Sequence, residues 1–291
     1  MKWTRWAILE GLMKSISRLF QKIVGNVINS WGGTFYAAGI VGLVQVIVST
    51  ILISKNKIKF ISKRSEIVGA AVFGIIAVIS TILGFAIYLN GGDVGTTTFI
   101  MTLSIIPGMI IDIIFFKHKS TIAQWIGIII ACFAGWSILG FPLSISTIKV
   151  WVWLAIVTMI LVAINQGVTQ SIREINPLQK NFWGGLMAII ISIFALYYFK
   201  DNYSYIELSS NNIKLWYTST AIGFIVIAMW SFNLLSYKSG ASIAIKKLVM
   251  NASQLIISMG FGFIFFNEPI TLWKLLAIPL FMVSFILIDR K

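Results

Sequence analysis

The chain has 291 residues, 58% of them hydrophobic and only 11% charged, and its mean hydropathy is +0.92. Soluble globular domains carry about 45–50% apolar and about 25% charged residues, so a water-facing surface is excluded for most of this chain and lipid is its expected solvent. The 23 Lys and Arg against 9 Asp and Glu leave a formal charge of +14. No basic stretch outside the apolar segments is interleaved with stacking aromatics. Because cytoplasmic loops of membrane proteins collect Lys and Arg, no nucleic-acid partner is expected.

Apolar stretches recur along the chain, each long enough to cross about 30 Å of hydrocarbon as a helix. They predict spans at 6–24, 31–53, 67–89, 94–116, 121–140, 149–171, 181–199, 214–236, 243–266 and 269–288. Backbone groups in lipid must be satisfied internally, and no ten-residue alternating pattern is present. The expected fold class is an all-α membrane protein with ten transmembrane helices.

The first span carries Glu10, Lys14, Arg18 and Lys22 at i, i+4 spacing, opposite Ile8, Leu12, Ile16, Leu19 and Ile23. Such an amphipathic helix could lie in the interface, but that placement would strand its basic residues on the side the charge bias disfavours, so crossing is expected. Glu10 and Lys14 also argue against a signal peptide. Gln45 in the second span, and Asn165 and Gln166 in the sixth, are isolated polar positions suited to interhelical hydrogen bonds. In the fourth span Thr98, Thr102, Ile105, Met109 and Asp112 share a face. The fifth holds the lone Cys132, a packing residue. Trp230 and Asn233 in the eighth are candidate cavity positions, whereas most other tryptophans sit near span ends, as an interfacial belt requires.

The ninth span places Lys247, Asn251, Gln254 and Ser258 on one polar face with Lys246 beside it. Ionisable residues at a bilayer centre cost roughly 2.5–3.5 kcal/mol on insertion scales. Both lysines could snorkel to headgroups, but that leaves Asn251 and Gln254 unexplained, and a cavity-lining face accounts for all four. Asp112 lies five residues before Lys117, roughly 7 Å of helix rise, at a depth similar to that of Lys246 and Lys247. A pairing between Asp112 and one of these lysines is expected, as a gate, as the charged end of a substrate site, or as a static ion pair.

With a cytoplasmic N-terminus, the inside segments hold Lys2, Arg5, Lys55, Lys57, Lys59, Lys63, Arg64, Lys117, Lys119, Arg173, Lys180, Lys238, Arg290 and Lys291, and the outside ones only Lys149, Lys200, Lys214 and Lys274. The positive-inside rule therefore puts both termini in the cytoplasm of a cell (cytoplasmic or inner) membrane.

An internal repeat is visible. Phe115-Phe116-Lys117-His118-Lys119-Ser120-Thr121 and Phe265-Phe266-Asn267-Glu268-Pro269-Ile270-Thr271 each pair a Phe-Phe helix end with a short turn, a Thr and a new apolar helix. Each falls between the fourth and fifth span of a five-span half. Five is odd, so the second half must be inverted relative to the first, an arrangement common in secondary transporters.

On Gly95–Leu139 with Pro107, and Gly240–Ile288 with Phe266-Asn267-Glu268-Pro269, the chain resembles a ten-helix, EamA-like member of the drug/metabolite transporter superfamily. The resemblance implies two inverted five-helix repeats, 1–145 and 146–291, alternately opening a central cavity to each side. An acidic residue is frequent in that family at the turn where Glu268 stands; His118 in the first copy departs from this. Ala7-Ile8-Leu9-Glu10 is similar to the membrane glutamate region of the small multidrug relatives, and the paired lysines are loosely similar to those of plastid phosphate translocators.

The chain has no Walker A loop and no His-Glu-x-x-His pattern, and only Asp112 is an aspartate inside a span, so no enzyme, cofactor or metal is expected. The expected function is secondary active transport of a small polar metabolite, such as an amino acid or organic anion, with a proton as candidate coupling ion and a monomer or homodimer as the working unit. The expected substrate-binding residues are Lys247, Asn251, Gln254, Asp112, Thr102, Trp230 and Asn233. The expected gating or coupling residues are Asp112, Lys246, Glu10 and Lys14. Proton-coupled export of cationic drugs through Glu10, and a non-transporting scaffold or receptor, are the alternatives.

Overall fold

The structure, a computed structural model, describes residues 2–60, 63–116, 121–138, 148–199, 209–241 and 243–289. These form α-helices and no strand: α1 (Lys2–Val27), α2 (Trp31–Lys55), α3 (Arg64–Leu89), α4 (Val94–Thr102), α5 (Ile105–Phe116), α6 (Ile122–Ile138), α7 (Val150–Ser171), α8 (Pro177–Phe199), α9 (Ser210–Lys238), α10 (Ile243–Phe266) and α11 (Leu272–Asp289). Seven segments among the described residues are long and apolar enough to cross a membrane, one of them α4 and α5 taken together. The surface is correspondingly apolar. Leu43, Ile47 and Ile51 on α2, and Ile190, Ile193, Phe194 and Tyr197 on α8, are exposed. In water such belts would aggregate; in hydrocarbon they cost nothing.

Short polar signals set the helix starts. Asn176-Pro177-Leu178-Gln179 is a capping box: the Asn176 side chain accepts from the Leu178 N–H at 2.9 Å, Gln179 Oε1 accepts from the Asn176 N–H at 3.2 Å, and Pro177 takes the first helical position, where no N–H is needed. This box starts α8 four residues before the expected position 181. Lys180, assigned by charge counting to a cytoplasmic loop, is thereby drawn into the helix and fully buried. Thr121 and Gln124 form a second box before α6, and Thr271 accepts from the Lys274 N–H before α11. The threonine shared by the two sequence repeats is thus a helix N-cap in both. The turn of the first copy, Lys117–Ser120 with His118, lies outside the described residues.

The expected fourth span is two helices. Pro107 has no N–H to offer the carbonyl of Leu103, and Ile106 N–H bonds that oxygen instead at 2.9 Å. The break at 103–104 also frees Thr102 O, which accepts from Asn251 Nδ2 of α10 at 3.0 Å, while Ser104 O, already bonded by the Gly108 N–H at 3.1 Å, takes Lys247 Nζ as a second donor at 2.6 Å.

Packing places α1 in the interior. It lies against α9, α10 and α3, and Glu10 is inaccessible. The polar stripe of α1 faces into the protein, not toward headgroups. Helices α2 and α8 pack with their backbones nearly touching, since a Cβ added to Gly185 would lie 2.8 Å from Gln45 Cβ and 2.9 Å from Gly42 O. Small residues permit this approach, and in lipid such close packing is a main source of helix association.

Candidate functional site

A cavity opens between α1, α3, α4, α7, α9 and α10, with roughly 840 Å³ of unfilled space, part of it open to the outside. Glu10, Lys14 and Arg18 line it from α1, Phe73 from α3, Asn165 and Gln166 from α7, Trp230 and Asn233 from α9, and Asn251 and Gln254 from α10. Six residues expected from the sequence to bind or couple, Glu10, Lys14, Trp230, Asn233, Asn251 and Gln254, therefore share one space.

Glu10 is the centre of one wall. Lys14 Nζ stands 2.9 Å from its Oε1 and Lys246 Nζ 2.8 Å from its Oε2, while Asn233 Nδ2 donates to Oε1 at 3.0 Å. Gln166 closes the ring, its Oε1 accepting from Asn233 Nδ2 at 2.9 Å, Tyr237 Oη at 2.7 Å and Lys246 Nζ at 3.0 Å. A carboxylate removed from water is tolerable only when its lone pairs are answered like this. Lys246 thus pairs with Glu10 on α1; the expected pairing of Asp112 with Lys246 or Lys247 falls on a side chain outside the described residues. Lys246 and Lys247 are both inaccessible, so neither snorkels. Asp112 falls on α5, and its side chain lies outside the described residues.

Lys180 extends the network. Its Nζ donates to Asn233 Oδ1 at 3.2 Å and reaches Thr169 Oγ1 at 3.4 Å, and it stands 3.8 Å from the Phe73 ring centroid. A cation over a ring face gains from the quadrupole, but no carboxylate among the described residues pairs with it. Sequence reasoning missed this lysine, although the capping box just before it was legible. Trp230 meets Phe73 edge-on at 4.6 Å, and its ring abuts Gly184. The Thr102 hydroxyl is spent on Phe99 O at 2.6 Å; Thr102 enters the site only through its carbonyl.

A second cluster ties the other end of α1 to two turns. The Glu268 carboxylate, between α10 and α11, accepts from the N–H groups of Val94 (2.6 Å) and Gly95 (3.1 Å) at the start of α4, where unsatisfied donors and the helix dipole favour an anion. A Cβ at Gly262 would collide with that carboxylate. Lys22 donates to Gly92 O, and Lys274 stands 3.4 Å from Asp93. Burial pushes the Glu268 carboxyl above its usual range, against the two backbone donors and Lys22, which pull it down. Gly91, with φ 83°, makes the turn possible: Gly91 N–H bonds Tyr88 O and Gly92 N–H bonds Ile87 O, closing α3.

Fold and site together define an all-α protein with membrane-crossing apolar helices and a polar, charge-lined interior cavity. No family model matches the chain, and no curated protein matches it. Solved structures do: one, described only as a crystal structure of a protein, superimposes with a TM-score of 0.67, covering 99% of this chain and 96% of that one at 11% sequence identity. The likeness is one of fold, over the full length.

Proposed function

We propose that this protein is a secondary transporter of the drug/metabolite superfamily kind, moving a small anionic or zwitterionic metabolite across a cytoplasmic membrane by alternating access. The observation that carries this reading is the cavity, a partly polar, charge-lined space that a scaffold would not need, walled by α1, α3 and α4 from one half and α7, α9 and α10 from the other. Ten spans in two inverted halves, with both termini cytoplasmic, fit the shared N-caps Thr121 and Thr271 and the charge bias of the loops. Export of cations through Glu10 is the second reading, weakened because Lys14 and Lys246 already answer that carboxylate.

Purified protein in liposomes, offered amino acids, organic acids, phosphates and quaternary amines with and without a pH gradient, tests the proposal. Uptake of an anion or zwitterion is the expected result. Uptake of cations alone would favour the second reading, and movement of no solute would end both.

A further inference from the structure

We propose that the cations where α2 ends and α3 begins hold the headgroup of an anionic phospholipid, a role independent of the transport reading. Between positions 55 and 66 stand five cations, Lys55, Lys57, Lys59, Lys63 and Arg64, against one carboxylate, Glu66. All five are exposed, and none has a carboxylate within ion-pair distance among the described residues. Ile172, at the end of α7, abuts Gly69 of α3, and in that adjoining turn Glu174 already pairs with Arg173 at 3.3 Å.

The cluster is held in place. Helix α2 ends in two backbone bonds, Ile58 N–H to Ile53 O at 3.0 Å and Lys57 N–H to Ser54 O at 3.2 Å, a closure that favours glycine at its left-handed position. Lys57 occupies that position with φ 52°, so a cation stands where glycine would close the helix without strain. Further on, Lys59 O accepts from the Gln179 side chain, and Phe60 meets Phe182 edge-on at 5.4 Å. Both contacts are with the start of α8.

The residues beneath the cations select the ligand. Ile51 stands one turn before Lys55 on α2, and Val68 one turn after Arg64 on α3; positions four apart share a helix face. Both are exposed, by 59% and 55%, on helices long and apolar enough to cross a membrane. Each face therefore offers a cation at headgroup depth and hydrocarbon contact one turn deeper, the profile of a phospholipid. Free phosphate would use only the upper half. A choline headgroup carries its own cation, so clustered Lys and Arg favour a lipid of net negative charge.

Native mass spectrometry on the detergent-purified full-length protein, titrated with dioleoylphosphatidylglycerol and with dioleoylphosphatidylcholine, reads the affinity for the first lipid retained. Phosphatidylglycerol is expected to bind at least about fivefold more tightly, the scale of one cation at an anionic surface. Lys59→Gln with Lys63→Gln should lose about tenfold or more of that affinity on the same scale. Arg5→Gln with Lys238→Gln removes two exposed cations of other helices and should lose little. Lys57→Gly separates binding from folding, because it removes one cation while relieving the left-handed backbone. Its affinity for phosphatidylglycerol is expected to fall several-fold while its melting temperature holds or rises, which keeps the test alive if the double variant fails to fold. Inorganic phosphate at millimolar concentration should not displace the lipid. Equal affinity for the two lipids, undiminished phosphatidylglycerol binding in Lys57→Gly, equal losses in the two double variants, or displacement by phosphate each overturns the inference.

Discussion

Around Glu10 two ammonium groups and one amide converge on a carboxylate that water does not reach. Removing one partner of a buried ion pair leaves an uncompensated charge and costs about 3–5 kcal/mol. Glu10→Gln is therefore expected to lower thermal stability by that order, and Glu10→Gln with Lys246→Met to recover much of the loss. Lys180 makes the opposite case. It is buried without a carboxylate among the described residues, so Lys180→Met should leave the melting temperature unchanged or raise it. Thermal unfolding of the three variants in one detergent checks both expectations, and a loss in Lys180→Met as large as in Glu10→Gln would contradict them. Glu10, Lys14, Lys246 and Asn233 could each be nominated from sequence, because a charge or amide in an apolar run needs a reason. Their meeting could not. The contact joins residues on α1, α9 and α10, and Gln166 is one of several amides in apolar helices until the fold gives it three donors.

Among the helices, the break between α4 and α5 was half legible. Pro107 removes a backbone bond wherever it stands, but the Thr102 carbonyl left open at the break is useful only because α10 lies alongside with Asn251. The Glu268 latch has the same character: the turn was visible as a repeat, and its target, the first N–H groups of α4, was not. Burial raises the folded-state pKa of Glu268 above its ordinary value. Its contribution to stability is therefore present at low pH and lost as pH rises through the folded-state value. Glu268→Gln lacks this dependence. Melting temperatures of both proteins between pH 7 and pH 4 should show the difference, wild type minus variant, moving in favour of the wild type as pH falls. A difference independent of pH would refute the assignment.

For the whole molecule, the exposed apolar belts face lipid while the polar side chains turn inward, the reverse of a soluble domain. With lipid as solvent, hydrophobic burial contributes little to holding helices together, and close backbone approach must supply the cohesion. The α2–α8 contact shows it: Gly185→Ala places a Cβ 2.8 Å from Gln45 Cβ, an overpacking expected to cost about 1–3 kcal/mol. A matching fall in melting temperature is the readout, and no change would mean that the two helices part freely. Composition and hydropathy alone decided that this chain is helical and belongs in a membrane, because a bilayer admits few ways to satisfy a backbone. Spacing decided which helix faces are polar, because 3.6 residues per turn brings i and i+4 together. Only the tertiary structure decided that the stripe on α1 faces a cavity, that Lys246 meets Glu10 and that Lys180 is buried. Those facts depend on which helices are neighbours, and contacts between residues more than two hundred positions apart leave no trace in local periodicity.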